Sequence, residues 1–266
     1  MDVRVISLHE PTRLLRAARR VWPDADVGVQ RGVDLRAVPV DALYESRFVS
    51  RTAAFTLARG RKWHHEIGSR GAVGLAHAVR LALAERPDRP LLLLEDDCVL
   101  KDAEALRADV AALRAHMDAF DVASFGASMF DATVRNPPVA YLSERWHALH
   151  RGEFYMLHCA FYTPHARRFL SAHLREHPLE MQLDALYSSM ASLGELRVLV
   201  QTEHANAVQN IHVSSIQEVT GTCGLCNTKA SVITLGVPLP YLLGLCCLFG
   251  ALTHKVGRRC VASARS

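Results

Sequence analysis

Three consecutive carboxylates follow a run of leucines in the first half of the chain, in the sequence Leu94-Glu95-Asp96-Asp97. In an open α/β sheet, ligands bind at the carboxyl ends of the strands. If strand alternation continues through these residues, Glu95 and Asp97 lie on the same side. Two carboxylates on one side suit Mg²⁺ or Mn²⁺, and such a cation can bridge a diphosphate. The alternative is an acidic loop in water, because most carboxylates are solvated.

The elements around these carboxylates alternate between short apolar runs and amphipathic stretches. Short apolar runs between turn signals predict buried strands, and apolar stripes with helical spacing predict helices. The predicted strands cover residues 3–8, 27–29, 91–94, 121–125, 155–162 and 196–200, and the predicted helices cover 12–21, 41–49, 52–59, 71–86, 102–117, 164–173 and 181–192. Alternating strands and helices are typical of an α/β domain with a mostly parallel central sheet flanked by helices.

Composition excludes several classes of protein. Half of the 266 residues are hydrophobic and 22% are charged, which excludes a disordered chain. The formal net charge is only +4, so we expect no nucleic-acid partner. Few cysteines precede residue 220, which argues against a disulfide framework. The chain starts with a strand-like segment and no long apolar region, so we expect no cleavable signal peptide and a location in the cytoplasm or at the cytoplasmic face of a membrane.

The end of the chain differs from the rest. Residues 230–253 contain no charged side chain, and basic residues follow them. This length is enough to span a membrane, although prolines and glycines interrupt it. We therefore predict a domain over residues 1–222 and a Cys-containing apolar tail over 223–266. The tail either associates with a membrane or forms a buried terminal segment.

The order of short motifs resembles glycosyltransferase family 25, which includes lipooligosaccharide and collagen galactosyltransferases. The matching motifs, in chain order, are Val5-Ile6-Ser7-Leu8 before an Arg-bearing helix, Leu94-Glu95-Asp96-Asp97, the block from Cys159 to Ala166, Leu183-Asp184-Ala185-Leu186 and Ser214-Ser215-Ile216-Gln217. The resemblance implies a GT-A-like single Rossmann-type domain. The segment from Gly71 to His77 departs from the family's Gly-rich block, because its Glu, Cys and Ser are absent.

The resemblance also implies an activity. A family member would be a hexosyltransferase that moves a sugar, expected to be galactose, from a UDP-sugar to an acceptor hydroxyl with inversion. The acceptor would be a saccharide, as in lipopolysaccharide biosynthesis, or a hydroxylated protein. A bound Mn²⁺ or Mg²⁺ would stabilise the charge on the leaving nucleotide. The altered Gly-rich block supports an alternative, a non-catalytic binding or adhesion module with the same fold.

Residue roles follow from the same resemblance. Asp184 is the candidate general base, and the alternatives are an exposed helix carboxylate or a base at Glu153, Glu180 or Glu203. The candidate donor-binding residues are Ser7, Arg13, His77, Glu95 and Asp96. The candidate metal ligands are Glu95, Asp97 and His212, where the histidine would complete the metal shell from the C-terminal side. For His77 and His212, a structural or solvated histidine is the alternative.

Overall fold

A computed structural model describes residues 1–63, 65–142, 145–201 and 206–209. The strands are β1 Asp2–Ser7, β2 Asp26–Arg31, β3 Leu91–Glu95, β4 Cys98–Leu100, β5 Val122–Phe125, β6 Ser128–Arg135, β7 His147–Tyr155, β8 Cys159–Tyr162, β9 Val198–Gln201 and β10 Ala207–Gln209. The helices are α1 Thr12–Val21, α2 Val40–Glu45, α3 Arg51–Arg59, α4 Arg70–Glu85, α5 Ala103–Ala115, α6 Pro164–Glu176 and α7 Leu183–Leu193.

Eight of these strands form one sheet, in the order β2-β1-β3-β8-β5-β9-β7-β6. Strand β1 pairs in parallel with β2 and β3, and β5 pairs in parallel with β9. Strands β7 and β8 run opposite to the remaining strands of this sheet. A second, two-stranded sheet joins β4 to β10 in antiparallel fashion. The predicted α/β fold with a mostly parallel central sheet is therefore confirmed.

Helices cover both faces of the sheet, and the leucines of β3 show how. Leu91 and Leu93 belong to one apolar cluster, together with buried residues of α4, α6 and α7. Leu92 and Leu94 belong to a second cluster, which contains buried residues of α1 and α5. Successive side chains of a strand point to opposite faces, so four consecutive leucines fill two cores.

A buried arginine ties α6 to the elements at the amino-terminal edge of the sheet. The guanidinium of Arg167 is almost fully buried and donates hydrogen bonds to the carbonyls of Ala82 and Leu83 at 3.0 and 3.1 Å. It also donates to the carboxylate of Asp2 at 3.2 Å and to the carbonyl of Arg89 at 2.7 Å. Arg167 thus satisfies carbonyls near the end of α4 that have no partner within the helix.

The region between β5 and α6 differs from the expectation. We predict one strand over 155–162, whereas the chain leaves β7 at Tyr155, turns at Met156 and enters β8 at Cys159. The hairpin of β6 and β7 is not predicted at all. Polar residues are mixed through β7, in the sequence HALHRGEFY, so it lacks the continuous apolar run that identifies β3.

The predicted tail over 223–266 lies outside the described residues, so the domain boundary near 222 and the membrane association stay predictions. Among the helices that the structure describes, none is long and apolar enough to cross a membrane.

Candidate functional site

Two parallel strands end side by side at the carboxyl edge of the sheet. In the pairing of β1 with β3, Ile6 lies opposite Glu95, so Ser7 and Asp96 follow at neighbouring ends. The hydroxyl of Ser7 donates a hydrogen bond of 2.6 Å to Oδ2 of Asp96. These ends form the position at which α/β sheets bind ligands.

A first cavity, which we call the edge pocket, is small, with a volume of about 30 Å³, and opens beside these strand ends. Its lining residues come from β1, the segment after β2, the start of α4 and the end of β3, and they are Ile6, Ser7, Leu8, Gly32, Val33, Asp34, Arg36, Gly71, Leu75, Glu95 and Asp96. Helix α4 approaches the segment after β2 closely, because a Cβ at Gly74 would lie 2.0 Å from the carbonyl oxygen of Val33. Only glycine allows this approach.

A second cavity, which we call the adjoining cleft, has a volume of about 410 Å³. It is bordered by α4, the end of β3, the turn between β7 and β8, and the start of α7, and its lining residues are Arg61, Ile67, Ala72, Leu75, Val79, Leu93, Glu95, Ser128, Tyr155, Met156, Leu157, Tyr162, Leu179, Gln182, Leu183 and Asp184. Glu95 and Leu75 line both cavities. Glu95 therefore supplies a carboxylate at the junction.

Burial and neighbouring aspartates raise the pKa of the carboxyl at this junction. Burial raises the pKa of Glu95 to about 8. Three aspartates act in the same direction through their charges, and they are Asp97, Asp184 and Asp96. Burial likewise raises the pKa of Asp184 to about 6. Such crowding of acidic groups favours a proton or a cation between them.

A strained turn positions Asp184. Met156 has a positive φ of 81°, which is uncommon for a residue with a side chain. Its N–H donates to Oδ2 of Asp184 at 3.4 Å, and its carbonyl accepts from the hydroxyl of Ser124 at 2.9 Å. The N–H of Ala185 donates to Oδ1 of Asp184 at 2.8 Å. Backbone strain of this kind concentrates at functional sites.

The two predicted metal carboxylates of the acidic run, Glu95 and Asp97, do not line the same cavity. Strand β3 ends at Glu95, so strand alternation does not continue to Asp97. Asp96 lines the edge pocket with Glu95, whereas Asp97 is buried in the turn and lines neither cavity. His212 lies outside the described residues. Within the described part of the chain, no three or more His, Cys, Asp or Glu side chains are grouped to hold a metal ion.

The remaining predicted residues lie away from the cavities. Arg13 is exposed on α1. The ring of His77 packs edge-on against Phe48, with the ring centroids 3.9 Å apart. Burial lowers the pKa of His77 to about 4, with the charge of Arg80 acting in the same direction. Neither Arg13 nor His77 lines the edge pocket or the adjoining cleft.

Of the alternatives to Asp184 as a base, the two that the structure describes do not line the cleft. Glu153 on β7 accepts a hydrogen bond from the hydroxyl of Tyr155. Glu180 is exposed, and Glu203 lies outside the described residues. Sequence reasoning missed Arg61 and Tyr155, which do line the cleft. The segment around Arg61 has no apolar periodicity, and we find no sequence signal that distinguishes it from other surface arginines.

Comparison with known proteins supplies no family. No protein-family model matches the chain, and no curated protein matches it. The resemblance to family 25 therefore stays a prediction.

Solved structures with a similar fold do exist. An apo UDP-glucose pyrophosphorylase shares 12% identity over 87% of this chain and 98% of that chain, with a TM-score of 0.44. A UTP-bound UGPase from Acinetobacter baumannii shares 13% identity over 79% of this chain and 88% of its own, with a TM-score of 0.42. An inositol-1-phosphate CTP transferase from T. maritima shares 11% identity over 80% of this chain and 91% of its own, with a TM-score of 0.40. At these values the similarity concerns the fold alone.

These comparisons nevertheless correct one expectation. The structures found are named for nucleotide chemistry, as a pyrophosphorylase, a UGPase and a CTP transferase. The prediction of hexosyl transfer with inversion from a UDP-sugar is therefore wrong. The motifs that suggested it are short. Those in the described part of the chain mark only the ends of strands or the starts of helices, which unrelated activities share, and Ser214-Ser215-Ile216-Gln217 lies outside the described residues.

Proposed function

We propose that this chain is a nucleotidyltransferase that depends on a divalent cation. The polyphosphate of a nucleoside triphosphate binds at the edge pocket, and an acceptor binds in the adjoining cleft. The observation that carries the proposal is the position of Glu95, which lines both cavities at the carboxyl edge of the sheet. A reaction between two substrates requires such a junction, because the reacting atoms must meet there.

The edge pocket combines the N-terminus of a helix with two carboxylates. Gly71, in the first turn of α4, lines the pocket, and the N-terminus of a helix favours phosphate through its N–H groups and its dipole. The carboxylates of Glu95 and Asp96 line the same pocket and would repel a phosphate directly. A cation between carboxylates and phosphates removes this conflict, so the two features together favour a metal-bound polyphosphate.

The donor set fits Mg²⁺ or Mn²⁺. The candidate ligands at the junction are carboxylate oxygens. In nucleotide enzymes Mg²⁺ takes one or two carboxylates together with substrate phosphates and water. Glu95 and Asp96 would hold the cation on the side of the edge pocket, and Asp184 borders the opposite side. When bound, the cation would stabilise the negative charge on the departing pyrophosphate.

The reaction is a displacement at phosphorus. An acceptor oxygen forms a bond to the α-phosphorus as the bond from that phosphorus to pyrophosphate breaks. Asp184 lies on the cleft side, where the acceptor binds, and a pKa raised by burial to about 6 is suited to accepting a proton from a protonated acceptor oxygen. The hydrogen bonds from Met156 and Ala185 fix its orientation.

We would test the proposal by measuring pyrophosphate release from each of the four nucleoside triphosphates. The candidate acceptors are a panel of small-molecule phosphates and alcohols. We expect release that requires Mg²⁺ or Mn²⁺ and stops with chelator. Glu95→Gln should reduce the rate by about 10²-fold or more. The control is Glu104→Gln, at an exposed position on α5, which should leave the rate unchanged.

Two results would contradict the proposal. If Glu95→Gln releases pyrophosphate as fast as the unmodified protein, the junction is not the reaction centre. Cation-dependent nucleotide binding without release for any acceptor would favour the non-catalytic binding module instead.

A further inference from the structure

We propose that the adjoining cleft selects an acceptor that carries a phosphate group, and that Arg61 binds this group. The inference rests on the proposed function, because it names the substrate class of the second cavity. It makes Arg61 a specificity-determining residue and assigns the cleft a ligand that is larger than inorganic phosphate.

Arg61 forms no close ion pair with a carboxylate in the described part of the chain. Among the described residues that line the cleft, Arg61 is the basic one. Its Nε is buried and makes no hydrogen bond to any described residue, and no ion pair with a described carboxylate includes it. A buried donor on a cation is costly unless a partner satisfies it, so a ligand anion is the expected partner.

The guanidinium of Arg61 lies close to Gly68. A Cβ at Gly68 would lie 3.3 Å from Nη1 of Arg61 and 3.5 Å from its Cζ. The absence of a side chain at Gly68 therefore leaves room for the guanidinium beside the cleft. Its planar fork of donors matches the oxygens of a phosphate, which it can bind in bidentate fashion.

The charges of Arg61 and of the cleft carboxylates determine how an anionic ligand would be oriented in the cleft. Burial raises the pKa of Asp184, and the positive charge of Arg61 acts against that effect, so the two groups lie within electrostatic range. An anionic group would be attracted to Arg61 and repelled by Glu95 and Asp184. The phosphate of an acceptor would thus lie at the Arg61 side of the cleft.

The size of the cleft argues against phosphate alone as its ligand. Its cavity volume of about 410 Å³ lies within the range of pockets that bind small molecules, and it exceeds what a single phosphate would fill. Its lining includes apolar side chains such as Ile67 and Leu179, as well as polar ones such as Ser128. A phosphorylated small molecule would use both the apolar walls and the guanidinium.

The test compares binding of inorganic phosphate and of acetate, each alone, to the full chain and its variants by calorimetry. We expect phosphate to bind the unmodified chain and the exposed control Arg175→Gln equally. Arg61→Gln should weaken phosphate binding by about tenfold or more. The phosphate affinity of Arg61→Lys should lie between those of the unmodified chain and Arg61→Gln, because lysine keeps the positive charge but lacks the planar guanidinium. Urea unfolding of each variant checks that the fold is intact.

A parallel titration with nucleoside triphosphate and Mg²⁺ separates this inference from the proposed function. Arg61→Gln should leave nucleotide affinity within about twofold, because Arg61 does not line the edge pocket. Phosphate binding that Arg61→Gln does not change, or acetate binding tighter than phosphate binding, would overturn the inference. An equal loss of nucleotide affinity would also overturn it, by placing Arg61 on the triphosphate. If the unmodified chain binds phosphate through Arg61 but no nucleotide, the proposed function fails and the anion site stands.

Discussion

The hydroxyl of Ser7 and Oδ2 of Asp96 are 2.6 Å apart, although 89 positions separate the two residues in the chain. The N–H of His9 donates to the same hydroxyl oxygen at 3.2 Å, which leaves the Ser7 proton for the carboxylate. Two strand ends are thereby joined at the wall of the edge pocket. Asp96 is oriented by a hydrogen bond before any ligand binds, and preorganisation of this kind lowers the cost of binding.

Ser7→Ala removes this hydrogen bond and should weaken nucleotide binding in the presence of Mg²⁺ by about three- to tenfold. The reason is that one hydrogen bond to a charged group contributes roughly 1 kcal/mol or more. Calorimetric titration of the variant with nucleoside triphosphate and Mg²⁺ measures the effect. The control is Ser46→Ala, at an exposed position. Unchanged affinity in Ser7→Ala would show that Asp96 does not contribute to the nucleotide site.

Arg167→Met should lower the free energy of unfolding by about 3–5 kcal/mol, because it leaves the buried carboxylate of Asp2 without one of its cations. Carbonyls near the end of α4 also lose their donor. Urea denaturation measures the change. The neighbouring Arg168 is exposed and pairs with Asp88, so Arg168→Met should cost less than about 1 kcal/mol. Similar losses in the two variants would contradict a special role for the buried arginine.

The strand that supplies the central carboxylates could be predicted from the sequence. Four leucines after Pro90 predict a strand over 91–94 that is buried on both faces, and the observed strand extends one residue further, to Glu95. Helices α4 and α6 were equally predictable, since α4 is rich in Ala and Leu and is followed by Pro87, and α6 begins at Pro164. These features depend on local spacing, which the sequence displays directly.

The residues that line the adjoining cleft could not be predicted in the same way. Arg61 and Asp184 are far apart in the chain, and only the packing of α7 against the sheet brings both to one cavity. The turn at Met156 depends on a hydrogen bond to Asp184, and its backbone conformation is one that the sequence does not favour. Side chains that meet through tertiary packing leave no periodic signal.

Gly74→Ala should lower the free energy of unfolding by about 1–3 kcal/mol, although alanine is the better helix former. The added Cβ would lie 2.0 Å from the backbone carbonyl of Val33, and a backbone atom cannot move as a flexible side chain can. Because Val33 lines the edge pocket, nucleotide affinity should fall as well. Leu81→Ala, on an exposed face of the same helix, is the control for stability and for binding. A more stable Gly74→Ala protein would show that α4 and this segment are not in close contact.

His77→Phe should make the protein less sensitive to acid. Burial lowers the pKa of His77 in the folded chain to about 4, below its usual value of 6.5. The unfolded chain therefore binds the proton more tightly, so the stability contributed by the neutral ring is present above pH 6.5 and is lost as the pH falls toward 4. Phenylalanine keeps a ring against Phe48 and cannot take up a proton. The free energy of unfolding of His77→Phe should therefore rise relative to that of the native protein, by up to about 2 kcal/mol, as the pH falls from about 7.5 to about 5. Urea unfolding at the two pH values measures it, with His9→Gln, at an exposed position, as the control. A difference that stays constant between the two pH values would show that His77 takes up a proton as readily in the folded chain as in the unfolded one.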